Sequence, residues 1–185
     1  MNNTEQLKEE HRIIERMLAV IEKAASDIES GGEVADDFFP NVVDFIRNFA
    51  DGLHHGKEET NLFPVMGRRG IPTERGPIGV MLAEHEEGRA YVRAIDEAAK
   101  RFAAGDKTAL KTAVENALNY AALLRRHIEK EDNILYVMAD QVLTPEDQKE
   151  LLAVYDEVEN RHRDGHSRQH YTALVEELGR EVGLA

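Results

Sequence analysis

A chain of 185 residues, 42% apolar and 32% charged, has the size and balance of one folded domain with a sizeable core. It contains no cysteine, which excludes disulfides, thiolate zinc sites, iron–sulfur ligation and any thiol nucleophile. A formal charge of −13 argues against nucleic acid and anionic membrane surfaces as partners.

No apolar run approaches the ~20 residues of a membrane span, and the polar opening "MNNTEQLKEEHR" is not a secretory signal. The cytoplasm is the default compartment. Glycine and proline then divide a sequence of helical period. Leu7, His11, Ile14, Leu18, Ile21, Ala25 and Ile28 recur at three- and four-residue steps, which predicts a first helix ending before Gly31-Gly32. A second runs from Val42 through Ile46, Ala50, His54, Glu58 and Leu62, with Pro40 at the start of its main part and Pro64 near its end. Pro77 suits the first position of a third, carrying Ile78, Leu82, His85, Gly88, Val92, Ile95, Ala99 and Phe102. Asp106 suits the N-cap of a fourth, with Ala113, Ala117, Tyr120, Leu124, His127, Glu131, Ile134 and Met138 on one face. "TPED", residues 144–147, reads as a capped start for a fifth helix, and the polar tail after Arg161 as helical in part. Short connections favour antiparallel neighbours. The expected fold is all-α: an up-down-up-down four-helix bundle over residues 1–142 with an additional C-terminal helical extension, 143–185, packed on or trailing from it.

The informative residues interrupt the apolar faces. His11, His54, Glu58, His85, His127 and Glu131 all occupy bundle-facing positions, where an ionisable group is costly unless paired or bound to metal. Residues four apart share a helix face, so each His-x-x-x-Glu can direct both side chains to one site. Imidazole nitrogen suits iron, zinc or copper, and a carboxylate can bridge two ions. The arrangement is duplicated. "HHGKEETNLF" overlays "RHIEKEDNILY" at an offset of 73, matching His54 to His127, Lys57 to Lys130, Glu58 to Glu131 and Leu62 to Leu135. His11 and His85, each preceded by glutamate, lie 74 apart. Two facing half-sites predict a two-metal centre of four histidines and two bridging carboxylates. His55 and Glu59 have the same spacing, but choosing them spoils the Lys-Glu match; His55 is therefore expected on the flank of the bundle, ~100° around the helix from His54.

This constellation, with "KEETNLFP" and "VMLAEHEEGR", resembles the hemerythrin-like HHE cation-binding family over about residues 5–140. The resemblance implies a non-haem di-iron centre inside a four-helix bundle, with carboxylates bridging the irons. Carried over, the ligands are His11, His54, Glu58, His85, His127 and Glu131, and the cofactors two iron ions; zinc and manganese accept the same donor atoms. Oxygen carriers of this type place a second histidine four residues after the third-helix one, where this chain has Arg89. They also set the last carboxylate five residues after the fourth-helix histidine, not four as in Glu131. Fewer histidines leave coordination positions open and point away from oxygen storage. The pattern is also similar to the di-iron domain of bacterial iron–sulfur-cluster repair proteins, although a cysteine-bearing segment of theirs is missing from this sequence.

Two functions follow as expectations. One is a di-iron protein that binds or reacts with oxygen, nitric oxide or peroxide as sensor, scavenger or stress-response protein, served by an electron donor. The other is an iron store or donor that serves an iron-acceptor protein without turnover of its own. Lesser features read as follows. Gly88 removes a side chain beside the site, which either opens a pocket or serves close packing. Glu15 is read as a surface carboxylate, and Tyr120 and Tyr136 as core. His162, His166 and His170 have metal-face spacing within a charged, solvated tail. The Glu-x-x-His pair of ferritin-like proteins occurs once, at Glu159 and His162, and lacks a partner.

Overall fold

The apolar period folds into six helices, with no strand among the described residues, in a computed structural model that describes residues 2–161 and 166–184. Helix α1 (Asn3–Glu29) begins on a reciprocal cap: the Asn2 side chain accepts from the Glu5 N–H at 2.8 Å, and the Glu5 carboxylate accepts from the Asn2 N–H at 2.7 Å. Helix α2 occupies residues 38–68, and α3 (Pro77–Ala103) has Pro77 in its first turn, as expected. Helix α4 occupies residues 109–142. Asp106 lies one turn before it instead of capping it, accepting from the Thr108 N–H at 3.0 Å and the Thr108 hydroxyl at 2.6 Å. "TPED" does cap α5 (Pro145–Arg161): Thr144 Oγ1 accepts from the Asp147 N–H, and Asp147 accepts from the Thr144 N–H. The tail contributes α6 (Arg168–Glu181), capped by Ser167, with Tyr171, Val175 and Leu178 on its buried face.

Ion pairs fix the directions of the long helices. Arg125 with Glu22 and His11 with Asp132 set α4 antiparallel to α1. Arg47 with Asp96 and Arg89 with Glu59 set α3 antiparallel to α2. The interior holds two apolar clusters. The larger includes Met17, Phe49, Ile95 and Ala117; the smaller includes Leu7, Leu62, Phe63, Met81 and Leu135. Between them lies a belt of buried histidine and glutamate, walled off from water at both ends. Helices α5 and α6 cover the α1/α2 face. Tyr155 and Tyr171 are fully buried there, and the Tyr171 hydroxyl donates to Asp44 at 3.1 Å.

Helical geometry changes where it meets the belt. Helix α2 takes the wider π form over Ile46–His55 and Glu58–Leu62, and α4 does so over Glu131–Leu135. The Phe63 N–H reaches the Glu58 carbonyl, and the Tyr136 N–H the Glu131 carbonyl, five residues back. Two of the three π segments thus begin on the two repeat glutamates. Such segments are uncommon and concentrate at functional sites.

Phe49 is fully buried against Phe45 and Tyr171, at ring distances of 5.2 and 5.9 Å. Phe49→Ala is expected to cost about 3–5 kcal/mol, seen as a lower urea midpoint with an unchanged slope.

Candidate metal centre

All six expected residues converge. His11, His54 and Glu131 form one buried group whose donor atoms lie within 4.8 Å of one another, and Glu58, His85 and Glu131 form another. Glu131 spans the two sides: Oε2 lies 3.2 Å from His11 Nε2 and Oε1 lies 3.3 Å from His127 Nε2. Glu58 Oε2 stands 3.7 Å from His54 Nε2 and 3.6 Å from His85 Nε2. His85 Nε2 and His127 Nε2 are 3.1 Å apart. Each glutamate therefore faces one histidine from each half of the repeat.

His55 corrects the sequence reading. It is buried, stacks on His85 at 3.8 Å between ring centroids, and forms a third three-donor group with His85 and His127. The π turn ending at His55 shortens the angular step between neighbours, so His54 and His55 both turn inward rather than diverging by the α-helical angle. The repeat could not reveal this, because an offset of 73 pairs His55 with Ile128. Arg89, where an oxygen carrier has histidine, binds the carboxylates behind these rings. It donates to Asp51 at 2.9 Å and to Glu59 at 2.8 Å.

Every histidine of the belt is oriented by a carboxylate at Nδ1. The pairs are His11 with Asp132 (2.7 Å), His54 with Glu10 (3.0 Å), His85 with Glu59 (2.6 Å), His127 with Glu84 (2.9 Å) and His55 with Asp51 (3.2 Å). A carboxylate can only accept from the ring, so Nδ1 carries a proton and Nε2, whenever the ring is neutral, presents its lone pair inward. Four of these partners obey the duplication. The glutamate before each first histidine, Glu10 or Glu84, holds the second histidine of its own half. The acid after each inward glutamate, Glu59 or Asp132, holds the first histidine of the other half. The matched lysines complete the pattern: Lys57 donates to Glu10 at 2.5 Å, and Lys130 donates to Glu84. The signal for these residues was the shared Glu-His and Lys-Glu dipeptides of the repeat.

The electrostatics suit a cation. Burial pushes His54 well below the usual range, His55 down to about 4 and His85 down to about 3, which keeps all three rings neutral at pH 7. Burial also opposes charge on His127, but Glu131 and Glu84 outweigh it and raise this ring to about 9. Burial and then the charge of Glu131 push Glu58 well above the carboxylate range. Glu131 stays well below that range despite its burial, because His127 and His11 face it. His54 Nε2, His55 Nε2, Glu58 Oε2 and both Glu131 oxygens have no hydrogen-bond partner. Such atoms are expensive to bury, and bound cations between them would satisfy the whole set. The donors present fit a metal centre.

Tyr136, read as core, belongs to the site: its hydroxyl donates to Glu58 Oε1 at 2.7 Å, and its ring stacks on His11. Glu15 pairs with Arg12 at the surface, as expected. In the tail, His166 and His170 are exposed, with the His166 ring bound to the Tyr171 hydroxyl; His162 lies outside the described residues.

The hemerythrin HHE cation binding domain matches residues 2–139, three quarters of the chain, and the chain belongs to that family of metal-binding helical proteins. Uncharacterized proteins of Mycobacterium tuberculosis and Mycobacterium bovis are each 20% identical over 180 residues, covering 97% of this chain and 70% of theirs. No solved structure matches. No helix among the described residues is long and apolar enough to cross a membrane.

Two outcomes test this geometry. Glu10→Gln and Glu84→Gln should each lower metal affinity about 10–100-fold in competition with a chelator. Metal uptake by the apo-protein at pH 7 should release protons, because His127, up at about 9, and Glu58 must surrender theirs. Affinity then rises from pH 7 toward pH 9, and a pH-indicator titration showing no acidification contradicts the assignment.

Proposed function

We propose that His11, His54, Glu58, His85, His127 and Glu131, joined by His55, hold two iron ions, and that the protein binds or reacts with a small molecule such as oxygen, nitric oxide or peroxide. Its role is that of a sensor, scavenger or stress-response protein. The observation that carries this reading is Glu131, whose unpartnered oxygens each approach the inward nitrogen of a different half-site. A carboxylate placed in this way would hold one cation at each oxygen. Iron is supported by family membership and by the mixed nitrogen and oxygen donors.

Iron bound there supplies Lewis-acid and redox chemistry toward a small ligand. The protein's own groups do the rest. The five Nδ1–carboxylate pairs hold the rings in one tautomer. The Tyr136 hydroxyl fixes Glu58 Oε1 and leaves Oε2 toward His54 and His85. The two apolar clusters keep bulk water away. His55 would take one of the positions that a four-histidine count leaves open, making the donor set richer in nitrogen than the repeat alone implies.

Protein purified from iron-rich medium should carry about two irons per chain, as the paired donor groups require. Its visible absorption should shift on exposure to oxygen or nitric oxide. The His54→Ala, His127→Ala double variant should lose at least half of the iron; retention of more removes these ligands from the set. His55→Ala should alter the spectrum of the loaded protein, and an identical spectrum removes His55. Transfer of iron to an apo-acceptor without any response to either gas favours the alternative, an iron store or donor.

A further inference from the structure

Lys57 is fully buried, and an ammonium is tolerated out of water only where its charge and its N–H groups are matched. It donates to Glu10 Oε1 at 2.5 Å and to Glu159 Oε1 at 2.8 Å, and it lies 5.3 Å from the centroid of the Tyr155 ring. Glu10 is equally buried, and its second oxygen, Oε2, accepts from His54 Nδ1 at 3.0 Å. Glu159 is half-buried at the outer end. Glu159, Lys57, Glu10 and His54 thus form one unbroken series from the surface to the metal donors.

Helix α5 carries the first member of that series to its place. Asp147, Leu151, Tyr155 and Glu159 recur every four residues and make a stripe along one side of the helix. Asp147 pairs with Arg69 at 2.8 Å, and Leu151 and Tyr155 are buried in the smaller apolar cluster. Glu159 Oε1, besides meeting Lys57, accepts from the Gln6 side chain at 2.7 Å. This helix lies outside residues 2–139, the part that matches the family. The other half of the repeat is built differently. Lys130 donates to Glu84 and is partly exposed, and it has no second carboxylate partner among the described residues.

The second carboxylate changes what Lys57 does to Glu10. An ammonium held by Glu10 alone would draw on that carboxylate in full. One shared with Glu159 draws on it less, and leaves Oε2 a stronger acceptor for His54. A stronger acceptor fixes the ring and makes its Nε2 a better donor to a cation. Resting on the metal reading above, we infer that Glu159 is a positioning residue of the metal centre, carried in by the C-terminal extension and acting through Lys57 and Glu10 on His54. The two halves are then unequal. The His54 arm depends on a helix that the duplicated bundle does not contain, and the His127 arm does not.

Cobalt(II) is the probe, because its visible absorption follows the donor set; its affinity is read by competition with a chelator. Glu159→Gln keeps the size of the side chain and removes its charge. Cobalt affinity should fall about three- to tenfold, less than in Glu10→Gln, and the spectrum should shift. A double-mutant cycle locates the effect. Combining Glu159→Gln with Glu10→Gln should cost no more than Glu10→Gln alone, to within about twofold, whereas its loss should multiply with that of Glu84→Gln. Asp147→Asn loosens α5 at its far end and should leave affinity and spectrum at the wild-type values. The wild-type protein gives a reading that needs no variant: cobalt loading should slow amide hydrogen exchange several-fold in the turn of α5 that carries Glu159. Unchanged affinity in Glu159→Gln, an equal loss in Asp147→Asn, losses that multiply with Glu10→Gln, or unaltered exchange around Glu159 each overturn the positioning role and leave the centre standing. A wild-type protein that takes up neither cobalt nor iron overturns the centre itself.

Discussion

Five imidazoles and two carboxylates share one enclosed volume between two apolar clusters, and the rest of the molecule is arranged around the cost of keeping them there. Each imidazole is stabilised from behind by an acid, and each of the four acids shared by the repeat is itself satisfied or exposed. What remains are inward nitrogens and oxygens, several of them without a hydrogen-bond partner. Removing water from such a set strengthens every charge interaction inside it, so the belt is either an unfavourable burial or a cation site. The unpartnered atoms of Glu58, Glu131, His54 and His55 are those that a cation would satisfy.

Duplication explains the architecture of that belt, and departures from duplication explain its chemistry. The repeat delivers two helix pairs, each with a histidine on its first helix and a histidine–glutamate pair on its second. It also delivers the crossed support in which the acid after one half's glutamate orients the other half's histidine. Neither half could build the site alone, since in each half one of the two repeat histidines, His11 or His85, takes its orienting carboxylate from the other pair. The break comes at Asp51, His55 and Arg89, whose repeat counterparts are Leu124, Ile128 and Glu15. These three form a contiguous network on the α2/α3 side, beside a cavity lined by Gly88 and Tyr120 and away from the covering helices α5 and α6.

The π segments connect backbone to site. Helix α2 must present His54, His55 and Glu58 to one interior while continuing to bury Phe49 and Leu62 in the clusters on either side. A uniform α-helix would send His55 to the flank. Widening the turn brings it inward, at the expense of ordinary α-helical hydrogen bonding through this stretch.

Much of this was legible in residue order. Helical period, the Pro77 start and the "TPED" cap located the helices, because these signals act within a few residues along the chain. The six inward histidines and glutamates followed from polar residues standing on apolar faces and from the offset that matched Lys57 and Glu58 to Lys130 and Glu131. What lay beyond the sequence depended on non-local geometry or on helix form. Tyr136 reads as core in any periodic pattern, and only the approach of α1 and α2 puts its hydroxyl on Glu58. His55 lies beside His54 in sequence and has no counterpart in the repeat, so its direction rested on a helical widening that periodicity assumes away. Gly88 was an open question until α4 came alongside, leaving space where Tyr120, Leu123 and Leu124 stop short. Residue order by itself determined which side chains share a helix face, because that is set by local period; the tertiary structure decided which faces meet and where a gap remains, because those depend on how whole helices pack.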